Sequence, residues 1–179
     1  IAAHFATEAA AELLNRYFTV VDESVVAFGC MVTDHVADSA MALFGMIEAH
    51  EDDAGRAVRA GLDIVNVLKT APTSTQLRVR IGIATGPVVV GDTGAGDASV
   101  PKAAVGETPN IAARVQALAG AGEIMIGAST HRLAGGAFEY EDFGEHSLKG
   151  IVDPMRVWRV MRDSGIESRF EARRAAGLT

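Results

Sequence analysis

The chain has 179 residues, of which 49% are apolar and 22% charged, with a formal net charge of −7 and a single cysteine. That is enough for one domain with a sizeable core, and the acidic balance without a basic stripe argues against a nucleic-acid surface. No apolar stretch reaches the roughly 20 residues that a membrane span requires. With no leader pattern at its start and no second cysteine for Cys30 to pair with, the expected compartment is the cytoplasm.

In chain order, Thr7 opens a first helix with Leu13, Leu14, Tyr17, Phe18, Val21 and Val25 at helical spacing, ended by Gly29. Two short apolar runs, 30–36 and 40–44, flank Ala37-Asp38-Ser39 and read as strands around a tight hairpin turn. A second helix starts near Glu51, with Asp52 and Asp53 at its positive end and Ala57, Val58, Gly61, Ile64, Val65 and Leu68 on its apolar face. Residues 77–85 alternate as a half-buried strand, with Leu77, Val79, Ile81 and Ile83 sharing one face. Gly86-Pro87 turns the chain into a strand at 88–90, and 91–102 reads as an arm or loop.

Thr108 as a cap and Pro109 at the first helical position open a third helix reaching Leu118. A strand at 123–127, a helix at 129–133 and strands near 138–143, 146–149 and 155–160 follow. The expected organisation is a domain over 1–160 and a charged linker over 161–179. Helices mixed with hairpin-connected strands point to an α+β fold with a mostly antiparallel sheet.

Four segments give the chain a family resemblance: Glu12-Leu-Leu-Asn-Arg-Tyr-Phe18; Asp38-Ser-Ala-Met-Ala-Leu-Phe-Gly45 with Arg56-Ala-Val-Arg-Ala-Gly61; Arg80-Ile-Gly-Ile-Ala-Thr-Gly-Pro-Val-Val-Val-Gly91; and Val105-Gly-Glu-Thr-Pro-Asn-Ile-Ala-Ala-Arg114 with Leu148-Lys-Gly150. In this order and at these spacings they resemble class III adenylate/guanylate cyclases of bacterial type. The resemblance implies a ferredoxin-like βαββαβ-type core with helices packed on the sheet. Glu167-Ser-Arg-Phe-Glu-Ala172 looks like the linker that leads, in many bacterial members, into a P-loop ATPase module with helical repeats.

Cyclisation of a nucleoside triphosphate needs attack of the ribose 3′-hydroxyl on the α-phosphorus, with two divalent ions, Mg²⁺ or Mn²⁺, assisting. By resemblance Asp38 is a metal aspartate, although an Asp also simply suits a turn. The companion aspartate of the family lies on an opening strand, and residues 1–7 contain no acid. Asn110 and Arg114 match the pair that stabilises the transition state, and their i, i+4 spacing puts both on one helix face. Lys149 matches a lysine that contacts the terminal phosphates.

The base-reading positions depart from the pattern: Asp34 stands where a purine-reading lysine is usual, and Ala103 where Asp, Thr or Ser is usual. A carboxylate accepts hydrogen bonds only, and Ala103 makes none. His35 offers a donor next to Asp34, although a lone strand histidine is more often structural. Ala37 and Ser39 replace the glycines that usually flank the metal aspartate.

The resemblance implies sites shared across a dimer, either a homodimer or a mixed pair of cyclase domains. The leading expectation is an adenylate cyclase converting ATP to cyclic AMP. The alternatives are a catalytically silent nucleotide-binding or dimerising domain, a guanylate cyclase using GTP, and an unrelated ferredoxin-like binding module.

Overall fold

The computed structural model describes residues 7–71, 77–91 and 103–165, which form four α-helices and eight strands. In chain order these are α1 (Thr7–Ala27), β1 (Val32–Val36), β2 (Ser39–Ala42), α2 (Asp53–Thr70), β3 (Ile81–Ile83), β4 (Val89–Gly91), β5 (Ala103–Val105), α3 (Glu107–Leu118), β6 (Ile124–Gly127), α4 (Ala128–Ala134), β7 (Phe138–His146) and β8 (Met155–Asp163). The architecture is the expected α+β one. A four-stranded sheet has the order β3-β6-β8-β7, and the pairs β1-β2 and β4-β5 form two separate ribbons. β3 runs parallel to β6, and the other pairings are antiparallel.

β6 is the centre of the core. All four of its residues are buried, as a strand covered on both faces must be. Ile124 and Ile126 face Val58 of α2, Ala134 of α4, Phe138 and Val160. Met125, on the opposite face, packs with Val115 and Ala119 of the α3 side, Val157 and Leu148. A third cluster joins Val21 and Val25 of α1 to Ile64 and Leu68 of α2, with Val32 and Ala42 of the hairpin against it.

Helix ends follow local chemistry. α1 closes with the amide of Cys30 donating to Val25 O at 3.2 Å and that of Gly29 to Val26 O at 2.9 Å, with Gly29 at φ +76°. That paired arrangement needs a left-handed residue, which glycine supplies. α3 departs from expectation. Its cap is Gly106 at φ +144° with no side-chain cap bond, and the Thr108 hydroxyl instead donates to Pro87 O at 2.8 Å. Thr108 thereby pins the loop after β3 rather than capping its own helix.

Several boundaries move. The ladder of β3 covers Ile81–Ile83, the tail of the alternating segment; Leu77 and Val79 still face the α1–α2 cluster as the alternation predicts. β5 falls beyond the predicted loop and pairs with β4. The two strands expected near 138–143 and 146–149 are one strand, β7, which ends at His146. Register shifts at Glu139/Tyr140 and Asp142/Gly144, with Gly144 at φ +84°, let it bend without stopping. Ser147–Gly150 is irregular, closing in a turn at Lys149 and Gly150. β8 continues to Asp163, three residues into the segment read as linker, and residues 166–179 lie outside the described ones.

Between the hairpin and β3 lies a cavity of about 410 Å³. Ala40 and Ala42 of β2 and Ile81 and Ile83 of β3 border it, with Val21, Ile64 and Ala112 from the helices. Each of these strands is paired on one side only among the described residues.

Candidate active site

The second half of α3 is set on the sheet by an unusually close approach. A Cβ at Gly82 would stand 2.3 Å from both Ala112 O and Gln116 N, so the α3 backbone rests on a residue that must be glycine. Gln116 Nε2 also donates to Arg80 O at 3.1 Å. Val115 is fully buried beneath the helix. The outer edge of α3 then carries the exposed Asn110 and the half-buried Arg114 one turn apart.

Leu148 is anchored in the same core cluster as Val115, at 6% exposure. That places the turn at Lys149 and Gly150 beside the helix. Arg114 lies over this turn, its Nη2 3.3 Å from where a Cβ of Gly150 would stand. Gly150 has φ +76°, so the turn itself favours glycine as well. A guanidinium from α3 thus lies over a turn whose other residue is Lys149, on a chain whose net charge is −7. Asn110 is turned back along its helix, Nδ2 donating to Gly106 O at 3.1 Å.

Asp38 and Asp34 ride on the β1–β2 hairpin. Val36 pairs with Ser39, leaving Ala37 and Asp38 as a two-residue loop. Ala37 holds φ +54°, the sole positive value at a non-glycine position among the described residues. The loop thus keeps a glycine-type conformation with an alanine in it, at a cost on the order of 1 kcal/mol. Asp38 is exposed at the tip. The nearby Tyr17 phenol, on α1, is pushed up from its ordinary pKa by burial first and by the Asp38 charge second.

Asp34 is exposed and borders the cavity. His35, considered as a donor beside it, has its Nε2 3.0 Å from Asp22 Oδ1 on α1. A carboxylate only accepts, so the ring nitrogen carries the hydrogen and donates it to α1. The backbone of Ala103 pairs with Gly91, and β5 lies against β1, bringing the two base-reading positions onto neighbouring strands. The structure thus gathers Asn110, Arg114 and Lys149 at one edge of α3, while Asp38 stands on a separate element.

No group of three or more His, Cys, Asp or Glu side chains among the described residues is placed to hold a metal ion. Asp38 by itself, on an exposed turn, does not make a two-ion site. Two positioning residues escaped the sequence reading: Gly82, whose role needs the helix in place, and Thr108, whose hydroxyl has two plausible uses that sequence does not separate.

A family model described as adenylate and guanylate cyclase catalytic domain matches residues 1–162. An adenylate cyclase of Mycobacterium tuberculosis is 27% identical over 92% of this chain and 38% of its own length. A membrane guanylyl cyclase of Dictyostelium discoideum is 27% identical over 88% of this chain and 10% of its own length. An uncharacterized protein of Rhizobium meliloti is 28% identical over 90% of the chain, which spans 16% of that relative. The chain therefore spans well under half the length of these curated relatives.

Among solved structures, the adenylyl cyclase CyaB of P. aeruginosa superposes with a TM-score of 0.82 at 27% identity, covering 90% of this chain and 87% of that one. The guanylate cyclase domain of RhGC from Catenaria anguillulae, in complex with GTP, gives 0.81 at 29% identity, covering 90% and 88%. The chain belongs to the adenylate and guanylate cyclase catalytic domain family.

Proposed function

We propose that this domain cyclises a nucleoside triphosphate, with ATP as the substrate and cyclic AMP and pyrophosphate as products. The observation that carries the proposal is the meeting of Arg114 with the Lys149–Gly150 turn on a rigidly seated helix. A guanidinium seated over that turn is preorganised for a polyphosphate, and such preorganisation acts where charge develops in the transition state. In this reading Arg114 stabilises charge on the α-phosphate, Lys149 holds the terminal phosphates, and Asn110 orients the ribose after giving up its bond to Gly106.

Asp38 contributes one carboxylate toward the divalent ions that cyclase domains generally use. It needs a companion carboxylate from outside the described residues. The one-sided pairing of β2 and β3 across the apolar cavity supports a further extended strand lying between them. The placement of Asp38 on the hairpin and of Asn110 and Arg114 on α3, two different elements, is compatible with sites shared between two cyclase domains.

Asp34 favours a second reading, in which GTP replaces ATP. Among the described residues no hydrogen bond or ion pair engages its carboxylate, and guanine presents N–H donors on the edge where adenine presents an acceptor at N1. A third reading, a silent nucleotide-binding or dimerising domain, draws on the incomplete ion set and the alanine at position 37.

The test is a cyclic-nucleotide assay on the full-length protein with Mn²⁺ and ATP or GTP, alongside Arg114→Ala and Asp38→Ala. Product that depends on both residues is expected. Product that survives either change removes that residue from its role, and preference for GTP selects the second reading. Nucleotide binding without product leaves the third.

A further inference from the structure

The hairpin bearing Asp34 and Asp38 is tied at its base and at its tip by different means. At the base, Val32, Ala42 and Phe44 pack on the α1–α2 cluster. Cys30 Sγ donates to Leu43 O at 2.6 Å and Thr33 Oγ1 to Met41 O at 3.1 Å, joining the two sides of the ribbon to each other. None of these contacts reaches the loop at Ala37-Asp38.

Near the tip, His35 meets two residues of α1 that stand i, i+4 apart and so share one face. Its Nε2–H donates to Asp22 Oδ1 at 3.0 Å, and its ring stands edge-on to Phe18, with centroids 4.5 Å apart at 72°. The partners come from separate elements, 13 residues apart in sequence. In an extended strand neighbouring side chains point to opposite faces. Asp34 and Val36 both border the cavity, so His35, between them, holds the strand from behind.

We propose that His35, held by Asp22 and Phe18, is a positioning residue that clamps the tip of the hairpin to α1, fixing the aim of Asp34 and the place of Asp38. The functional half of this inference rests on the cyclase reading above; the clamp itself does not. The pair is partly exposed, 36% for His35 and 47% for Asp22. Its worth is therefore that of a modest surface interaction plus one ring contact. That suffices for a two-residue loop already strained at Ala37.

The experiment measures amide hydrogen exchange at residues 36–39 in the full-length protein, together with cyclic-nucleotide turnover. Asp22→Ala is expected to speed exchange at the tip about fivefold and His35→Ala about tenfold, with core amides of β6 unchanged. The two changes combined are expected to cost no more than His35→Ala alone, since both break one clamp. Exchanging the partners (Asp22→His with His35→Asp) is expected to restore tip protection and turnover to within about twofold of the starting protein. Unchanged exchange at the tip, or acceleration equal in tip and core, overturns the clamp. Faster exchange with undiminished turnover overturns its positioning role. A starting protein that makes no product removes the cyclase reading, while the exchange measurement still decides whether His35 holds the hairpin.

Discussion

α3 and the turn at Lys149 are fixed by backbone resting on Gly82 and by Leu148 and Val115 in a common core, whereas Asp34 and Asp38 ride on a two-stranded ribbon that, among the described residues, pairs with no strand of the main sheet. The first region gains its precision from close packing, which allows little adjustment. The second relies on an apolar base, one half-exposed polar tie and a loop in a disfavoured conformation. A site assembled from both would have one half preset and the other adjustable. The cationic half is the preset one.

Removing the preset chemistry gives the largest expected effect. Arg114→Ala should lower cyclic-nucleotide turnover about 10²- to 10³-fold, the usual cost of losing a preorganised donor to the transition state. Its thermal midpoint should stay near the parent's, because Arg114 lies over a surface turn rather than in the core. Equal turnover in parent and variant would remove Arg114 from the chemistry.

Next comes the platform. Gly82→Ala drives a methyl into backbone atoms of α3 that cannot step aside as a side-chain tip would. A loss of about 3 kcal/mol or more in chemical denaturation is expected, the upper end for overpacking. An undiminished midpoint would mean that α3 floats, and the contrast between the two regions would vanish.

The adjustable region should respond in the opposite direction. Ala37→Gly relieves the positive φ and should raise stability, by about 1 kcal/mol at most, since glycine also gains freedom in the unfolded chain. Lower stability in that variant would show that the turn is not strained.

The smallest effect concerns acid. Glu123 accepts from the Gly120 amide at 2.8 Å and from Arg159 Nη1 at 2.5 Å, and these bonds hold its carboxyl below the usual pKa. A carboxyl with a depressed folded pKa stabilises above its unfolded value, near 4.3, and loses that contribution as pH falls through the folded one. Glu123→Gln should therefore narrow the gap between midpoints at pH 7 and pH 3. With both side chains 29% exposed, solvent screening limits the effect to under about 1 kcal/mol. A gap that stays the same would assign the acid sensitivity elsewhere.

Much of the frame was legible because periodicity survives folding. The apolar face of α2, the alternation ending in β3, the short run at β6 and the hairpin around Asp38 all follow from which residues must be hidden. β7 was misread as two strands because a glycine at φ +84° looks the same in sequence whether it ends a strand or bends one. β5 was missed because Ala-Ala-Val carries a weak strand signal, and its partner β4 lies across residues 92–102. Thr108 was read as a cap because a hydroxyl at a helix start usually is one; here Pro87 O lies closer to hand.

By itself, the sequence determined the residue types that chemistry requires, their spacing on α3 and the hairpin, and the family to which the chain belongs. Tertiary structure alone decided that Arg114 lies over the Lys149–Gly150 turn, that Gly82 is the seat of α3, and that His35 is engaged by Asp22 rather than free beside Asp34. The division has a physical cause. Helix face and strand alternation are local, fixed within a few residues by backbone geometry. Contacts between separate elements, from His35 with Asp22 at 13 residues apart to Gln116 with Arg80 at 36, depend on how whole elements pack.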